Sequence, residues 1–173
     1  MTEHSDLNAP SEWVCRWAPQ ITPGARVLDL ACGSGRHTRL LARMGFSICA
    51  VDRDPVALGS LSELPAVQVL IADLEDAPWP YPGQRFGGIV VINYLHRPLL
   101  PILVDSLDAG GVLIYETFAA GNERYGRPAN PAFLLQTGEL LDAVHGRLRV
   151  VAYEDLYVDV PKPAMVQRIC AQR

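Results

Sequence analysis

The sequence predicts an α/β fold built on one mostly parallel sheet of seven strands, with an antiparallel strand at the C-terminal end. Short apolar segments alternate with helical patterns through the first two thirds of the 173-residue chain. The segments are apolar throughout rather than alternately polar, which is typical of parallel strands covered on both faces. The last two strand patterns are separated by a short proline-containing turn, so we expect them to pair as an antiparallel hairpin.

Each element follows from its own local pattern. Apolar, β-branched runs predict strands at 25–30, 46–51, 67–72, 86–93, 110–118, 148–158 and 164–172. Apolar residues at helical spacing predict helices at 11–21, 35–45, 54–64, 97–107 and 132–146. The length is that of one domain, so we predict a single domain over 1–173 with a loose N-terminus at 1–10.

Composition and charge exclude several classes of protein. The chain is 49% hydrophobic and 20% charged, which is ordinary for a globular domain. It has no apolar run long enough for a membrane helix and no signal-peptide pattern, so we expect a cytoplasmic protein without a membrane partner. The four cysteines lack zinc spacing, so no metal site is predicted. The net charge of −4 disfavours a nucleic-acid partner.

The end of the first predicted strand carries an acid followed by a glycine-rich turn. In open parallel sheets, ligands bind at the carboxyl ends of the strands. Asp29 ends this strand, and Gly33 and Gly35 follow it in "GSGRHT", where the third glycine of a dinucleotide fingerprint is missing. A carboxylate would also repel a pyrophosphate. The pattern therefore favours a ligand with positive charge, and a tight turn with an incidental acid is the alternative.

Acids also follow the second and third predicted strands. Asp52 can accept hydrogen bonds from both hydroxyls of a ribose, while Asp54, directly before Pro55, is the better candidate for a helix cap. Asp73 can accept a hydrogen bond from an exocyclic amine such as that of adenine. For Asp52 a helix cap or a surface acid is the alternative, and for Asp73 an ordinary loop acid. Three acids at three strand ends together favour a nucleoside ligand.

These motifs resemble those of the class I S-adenosylmethionine-dependent methyltransferases. The stretch "VLDLACGSGRHTRLLARMGFSICAVDRDP" resembles the first two motifs of that family, and "IADLED" resembles the third. The resemblance extends over residues 25–118, and the later strands fit the antiparallel pair of the family. Ala31 stands where the family commonly has glycine, a departure that the family tolerates. The resemblance implies a Rossmann-like fold, S-adenosylmethionine as cofactor, and methyl transfer by in-line displacement.

The resemblance also implies a set of cofactor-binding residues. Asp29, Ala31, Gly33 and Gly35 would line the methionine end, Asp52 would hold the ribose, Asp73 and Leu74 would hold the adenine, and Arg53 and Asn93 complete the set.

The acceptor side is predicted from the segments after the fourth and fifth strands. His96 is a candidate general base, or else flanks the helix that follows it. Tyr94 could take part in catalysis by stacking on a ligand, or belong to the core. Arg97 could bind an anionic acceptor or form a surface ion pair. The remaining substrate-binding candidates are Phe118 and, as a lid or anion clamp in the long 119–131 loop, Arg124, Tyr125 and Arg127; a solvated connection is the alternative for this loop.

The stretch "GRPANPAFLLQTGELL" is more loosely similar to small bacterial methyltransferases of the tellurite-resistance type. That similarity favours a small-molecule acceptor. The predicted fold also takes up nearly all of the chain from Trp13 onward, which leaves little of it for a separate recognition domain. Two alternatives stay open, namely an RNA or protein methyltransferase that needs a partner, and a non-catalytic protein that binds S-adenosylmethionine. The sequence predicts no particular oligomeric state.

Overall fold

A computed structural model describes residues 8–173, so most of the predicted loose terminus at 1–10 lies outside the described residues. The seven strands are β1 Arg26–Leu30, β2 Ser47–Asp52, β3 Val67–Ile71, β4 Phe86–Ile92, β5 Leu107–Phe118, β6 Arg149–Val158 and β7 Ala164–Gln172. They form one sheet in the order β3-β2-β1-β4-β5-β7-β6. Strand β7 is antiparallel to both of its neighbours, and all other pairs are parallel. The predicted fold class is confirmed.

Five short helices connect the strands. They are α1 Glu12–Trp17, α2 Arg36–Arg43, α3 Pro55–Leu58, α4 Leu99–Asp105 and α5 Glu139–Val144. Ser11 caps α1 by accepting from the Trp13 amide, and Asp54 caps α3 by accepting from the amides of Val56 and Ala57. Asp54 is therefore the helix cap, as the sequence predicts. None of the helices within 8–173 is both long and apolar enough to cross a membrane.

Two apolar layers cover the two faces of the sheet. Along β1, Val27 packs in the layer beneath α1 and α2, while Leu28 and Leu30 pack in the opposite layer with α4 and α5. All three side chains are essentially inaccessible to solvent. Burying each of them contributes roughly 1.5–3 kcal/mol to folding. Because β1 is central and covered on both faces, its carboxyl end is held rigidly where a ligand site is expected.

Two predicted helices are shorter than expected. The 54–64 segment forms one α-helical turn and then a 3-10 turn at Gly59–Leu61. The 132–146 segment forms a 3-10 turn at Pro131–Phe133 and begins α5 only at Glu139. In this segment Gly138 has a left-handed φ of +76° directly before α5, and the guanidinium of Arg97 binds the carbonyls of Ala132 and Leu134, which a helix would use.

Candidate functional site

Two clefts open at the carboxyl ends of the parallel strands, and Ala31 lines both. The larger has a volume of about 650 Å³ and lies between the turn after β1, residues 8–12, and the hairpin of β6 and β7. The smaller, of about 170 Å³, lies beyond the ends of β2 and β3 and is lined by Ala31, Asp52, Arg53, Ala72, Asp73, Leu74, Glu75 and Tyr94. This is the edge of the sheet at which the sequence predicts ligand binding.

The turn between β1 and α2 has an unusual backbone. Gly33 and Gly35 have φ angles of +55° and +81°, and Ala31 has a φ of +52° although it has a side chain. At Gly35 a Cβ would come within 2.4 Å of the Leu61 side chain. Asn93, which follows the neighbouring strand β4, also has a positive φ of +58°. Residues other than glycine with a left-handed backbone conformation are concentrated at functional sites. Two such residues, Ala31 and Asn93, line the larger cleft.

Asp29 is buried on the floor of the larger cleft. Its Oδ2 accepts a 2.5 Å hydrogen bond from the Thr38 hydroxyl. Burial raises the pKa of the Asp29 carboxyl to about 7, and the Thr38 hydrogen bonds oppose that increase. A cationic ligand group nearby would favour the ionised carboxylate and lower this pKa. The position therefore suits a positively charged group, as the sequence predicts.

Asp52 joins the ends of two strands. Its Oδ2 accepts a 2.8 Å hydrogen bond from the Gly33 amide, and its Oδ1 accepts one of 3.0 Å from the Asp54 amide. Each carboxylate oxygen has a second lone pair, so both can still accept from a diol. Asp52 and Arg53 both line the smaller cleft. Asp52, which the sequence predicts to bind the ribose, thus also supports the glycine-rich turn.

The rest of the smaller cleft presents two acids, Asp73 and Glu75, and the hydroxyl of Tyr94. The Oδ1 of Asp73 accepts from the amides of Glu75 and Asp76, and these hydrogen bonds lower the pKa of Asp73. The Tyr94 hydroxyl is buried, and no residue within 8–173 gives it a hydrogen-bond partner. Burial raises the pKa of Tyr94 to about 12, so the phenol stays protonated. A buried hydroxyl without a partner among the described residues, close to Asp73, could donate to an acceptor atom of a bound nucleoside.

A polar network closes one side of the larger cleft. The Ser11 hydroxyl donates to Oε1 of Glu116 at 2.8 Å, and the Ser11 amide donates to Nε2 of His37 at 3.0 Å. Burial lowers the pKa of His37 to about 3, so its imidazole is a neutral acceptor. The Arg168 guanidinium donates to Glu116 at 3.1 Å and to Glu154 at 2.7 Å. This network holds residues 8–12 against the cleft.

The predicted site residues that follow the fourth and fifth strands are divided by the structure. Two of them line the larger cleft, whereas Arg97 and His96 do not. Asn93 and Phe118 line it. Arg97 instead uses four of its five N–H groups on Glu139, Ala132 and Leu134, which gives it a structural role. His96 is half-buried and lines neither cleft. Its role as a base stays a prediction.

The predicted lid of the 119–131 loop is not brought into either cleft. Arg124, Tyr125 and Arg127 are exposed and lie apart from both sets of lining residues. Tyr125 packs against Tyr157 of β6, with ring centroids 5.0 Å apart. Asn122 anchors the loop to the hairpin by accepting from the Met165 amide at 3.1 Å. In this conformation, the loop supports the hairpin rather than the acceptor space.

Sequence reasoning missed the hairpin and the N-terminal segment as walls of the larger cleft. The hairpin residues lining it are Val158, Val160, Pro161, Lys162, Ala164, Val166 and Arg168, and the N-terminal ones are Asn8, Ala9, Pro10, Ser11 and Glu12. One signal was available, because Lys162 is the only lysine in the sequence and stands between two prolines. Within 8–173, no group of three or more histidine, cysteine, aspartate or glutamate side chains is arranged to hold a metal ion.

Comparison with known proteins finds similarity to methyltransferases. A family profile described as a methyltransferase domain matches residues 27–107. The tRNA U34 carboxymethyltransferase of Alcanivorax borkumensis is 31% identical over 62% of this chain and 38% of its own length. The ubiquinone biosynthesis O-methyltransferase of Xanthomonas campestris is 30% identical over 55% of this chain and 44% of its own. An uncharacterized methyltransferase of Synechocystis is 41% identical over 52% of this chain and 42% of its own. The chain thus spans about two fifths of the length of the curated relatives it matches.

Solved structures show the same fold. TehB from Haemophilus influenzae superposes with a TM-score of 0.79 and 17% identity, over 95% of this chain and 62% of its own. A TehB-like S-adenosylmethionine-dependent methyltransferase from Corynebacterium glutamicum gives a TM-score of 0.67 and 18% identity, over 93% and 86%. The chain is thus similar to methyltransferases over residues 27–107 and shares the fold of solved S-adenosylmethionine-dependent methyltransferases, which is the similarity that its motifs predict.

Proposed function

We propose that this chain transfers a methyl group from S-adenosylmethionine to a small-molecule acceptor in the larger cleft. The observation that carries the proposal is the meeting of the two clefts at Ala31. The smaller cleft offers the carboxylates of Asp52 and Asp73 and a phenol to a nucleoside, and the larger begins at Asp29, which suits a cationic group. When bound, S-adenosylmethionine supplies a methyl group that is already activated on a sulfonium.

The contribution of the protein is then mainly to bind, to orient and to exclude water. Asp29 would hold the amino group of the methionine end, and Asp52 the ribose. The backbone of the Ala31–Gly35 turn, fixed by Asp52 and by α2, would set the direction in which the methyl group faces. Residues 8–12 and the hairpin enclose the space beyond it. Holding an acceptor in line with the methyl group supplies much of the rate enhancement of such a displacement.

The size and enclosure of the larger cleft support a small acceptor. Its volume of about 650 Å³ is typical of pockets that take small molecules. Part of that volume is needed for the methionine end of the cofactor. The Ser11 hydrogen bonds to Glu116 and His37 keep the N-terminal wall in place, which narrows the opening.

An RNA acceptor is the second candidate. It is favoured by the 31% identity to a protein named a tRNA U34 carboxymethyltransferase. The net charge of −4 weighs against RNA binding by this chain alone, because phosphate contacts dominate such affinity. If the acceptor is RNA, a partner is expected to supply the basic surface.

The first experiment is calorimetric titration with S-adenosylmethionine, S-adenosylhomocysteine and NAD. We expect the two methionine compounds to bind and NAD not to bind. Methyl transfer is then measured with labelled S-adenosylmethionine against a panel of small acceptors, with bulk tRNA as a separate sample. Failure of both methionine compounds to bind would overturn the proposal. Binding without transfer to any acceptor would instead favour a non-catalytic protein.

A further inference from the structure

The larger cleft has a wall that the predicted cofactor residues do not form. It consists of Phe118 at the end of β5 together with Val158, Val160, Pro161, Lys162, Ala164 and Val166 of the β6–β7 hairpin. We call this the hairpin wall. Six of its seven side chains are apolar, and Val160 is 61% exposed at the rim. An apolar surface left open on a cleft favours an acceptor with an apolar body.

Lys162 is the charged residue of the hairpin wall; Arg168, further along β7, also lines the cleft but is paired with Glu116 and Glu154. The Nζ of Lys162 lies 5.4 Å from the centroid of the Phe118 ring, a cation–π arrangement. The flanking Pro161 and Pro163 restrict the backbone on both sides of it. Among residues 8–173, no carboxylate lies within ion-pair distance of this ammonium. Within the described part of the chain, the wall therefore presents a cation without a carboxylate partner beside an aromatic face.

The other charged groups around the larger cleft already have partners or lie elsewhere. Arg168 is neutralised by Glu116 and Glu154. Asp29 is buried and hydrogen-bonded to Thr38. Arg36 of α2 binds the Ala9 carbonyl at 3.2 Å, and Glu12 is exposed at the start of α1. None of these groups belongs to the hairpin wall.

The hairpin wall also lacks a group that could remove a proton. The acids and the imidazole that line other parts of the cleft are engaged elsewhere: Asp29 accepts from Thr38, Glu116 accepts from Ser11 and Arg168, and His37 accepts from the Ser11 amide. A neutral oxygen or sulfur nucleophile bound there would need a general base when it attacks, whereas an anionic nucleophile would not. Both features, a lysine without a carboxylate partner among residues 8–173 and a wall without a proton acceptor, favour an acceptor that is already anionic.

We propose that the acceptor is a small apolar organic anion, that Lys162 selects it, and that its anionic oxygen or sulfur is the nucleophile. This rests on the proposed function. A lone pair of the anion forms a bond to the methyl carbon while the carbon–sulfonium bond breaks. The electron pair of the broken bond stays on sulfur, so a neutral ester or thioether and neutral S-adenosylhomocysteine result. No proton has to be removed, and the loss of opposite charges is favoured in an apolar surrounding.

The test uses the protein saturated with S-adenosylhomocysteine and titrated with matched probes. Two pairs have nearly the same shape and differ in charge, phenylacetate against phenylacetamide and hexanoate against hexanamide, and a third compares ionised benzenethiol with its neutral methyl thioether, thioanisole. We expect the anion of at least one pair to bind about tenfold more tightly than its neutral partner. Carboxylates and the thiolate are separate samples, so the result also tells oxygen from sulfur acceptors.

Three variants test whether the preference for the anionic probe depends on Lys162. Lys162→Met should abolish the preference for the anion, and Lys162→Arg should keep most of it. Arg149→Met, which removes one positive charge at the opposite end of the same hairpin, should leave it unchanged. Affinity for S-adenosylhomocysteine should be equal in all four proteins. Loss of that affinity in the wild type would contradict the proposed function instead.

The proposal is overturned if no anion is preferred in any pair, including the case in which neither member binds. It is also overturned if Lys162→Met retains the preference. Because Lys162 is exposed in a turn, the variants are expected to fold, and thermal unfolding checks this directly.

Discussion

The Gly33 amide donates a 2.8 Å hydrogen bond to Oδ2 of Asp52, which ties the turn after β1 to the end of β2. The two strands are parallel neighbours, with Leu30 opposite Val51. The acid at the second strand end is therefore placed to support the turn and to meet a ligand. A carboxylate with two oxygens can serve both purposes at once.

Substituting Asp52 with alanine should weaken binding of S-adenosylhomocysteine by at least about tenfold, or about 1.4 kcal/mol. The variant removes the predicted ribose ligand and leaves the Gly33 amide without its acceptor. The matched control is Asp54→Ala, which removes the cap of α3 and should cost about 1 kcal/mol of stability without weakening binding. Calorimetry and thermal unfolding separate the two effects. Equal affinities of the two variants would contradict the role given to Asp52.

Asp29 should make a contribution to the stability of the ligand-free protein that falls as the pH rises from about 4 to about 7, against an opposing contribution from His37, whose pKa burial lowers to about 3. The cause is Asp29, whose pKa is raised by burial from 3.8 to about 7, so that the folded state binds a proton which the unfolded state has already released. The Asp29→Asn variant should lack this part of the pH dependence and be more stable than the wild type above neutral pH. Urea unfolding across this pH range provides the measurement.

Binding of S-adenosylmethionine should release a proton near neutral pH. A cationic group beside Asp29 favours its ionised form, so binding should tighten as the pH rises through about 7. Calorimetry in buffers of different ionisation enthalpy counts the released protons. Asp29→Asn should release fewer protons and bind more weakly. Affinity that is independent of pH would place the cationic group of the ligand away from Asp29.

Substituting Tyr94 with phenylalanine should stabilise the ligand-free protein by about 1 kcal/mol, because the buried hydroxyl has no partner within the described chain. The same variant should bind adenosine-containing ligands more weakly, since the hydroxyl is placed to donate to them. Tyr115→Phe is the control, because its hydroxyl donates a 2.7 Å hydrogen bond to the Tyr94 carbonyl and its loss should destabilise the protein. A destabilised Tyr94→Phe variant would show that the hydroxyl has a partner in solution.

The sheet and the nucleoside side of the site could be predicted because their signals are local. Each parallel strand is a short apolar run, and the acid that follows it is fixed in place by the strand itself. Asp29, Asp52 and Asp73 could therefore be placed at one edge without knowledge of long-range contacts. The helix caps at Ser11 and Asp54 were predictable for the same reason.

The acceptor side was harder to predict because distant segments build it. The residues that the β6–β7 hairpin adds to the wall come well after Phe118 in the chain and are placed beside it by the β5–β7 pairing, in which Phe118 lies opposite Val166. From the sequence, Arg97 could have been free to bind an anionic acceptor. In the structure it forms an ion pair with Glu139, which lies far along the chain. Arg124 and Arg127 had no local signal to say that their loop turns away from the clefts. Long-range pairing of this kind leaves no periodic pattern in the sequence.

The ion pair of Arg97 and Glu139 should prove to be a structural clamp. Arg97 binds both oxygens of Glu139, at 2.6 and 3.0 Å, and two carbonyls of the 132–134 segment. Arg97→Met should lower stability by about 1–2 kcal/mol, a modest loss because the guanidinium is partly exposed. Glu139→Gln should cost less, since its amide oxygen can still accept from the Gln136 amide.

A double-mutant cycle with these two variants should give a coupling free energy of about 1 kcal/mol. Urea unfolding of the four proteins measures it. The sequence also allowed Arg97 to bind an anionic acceptor, and the two roles predict different results. In the clamp, the loss appears in the stability of the ligand-free protein. Unchanged stability in Arg97→Met, together with weaker binding of the anionic probes, would instead make Arg97 a ligand of the acceptor.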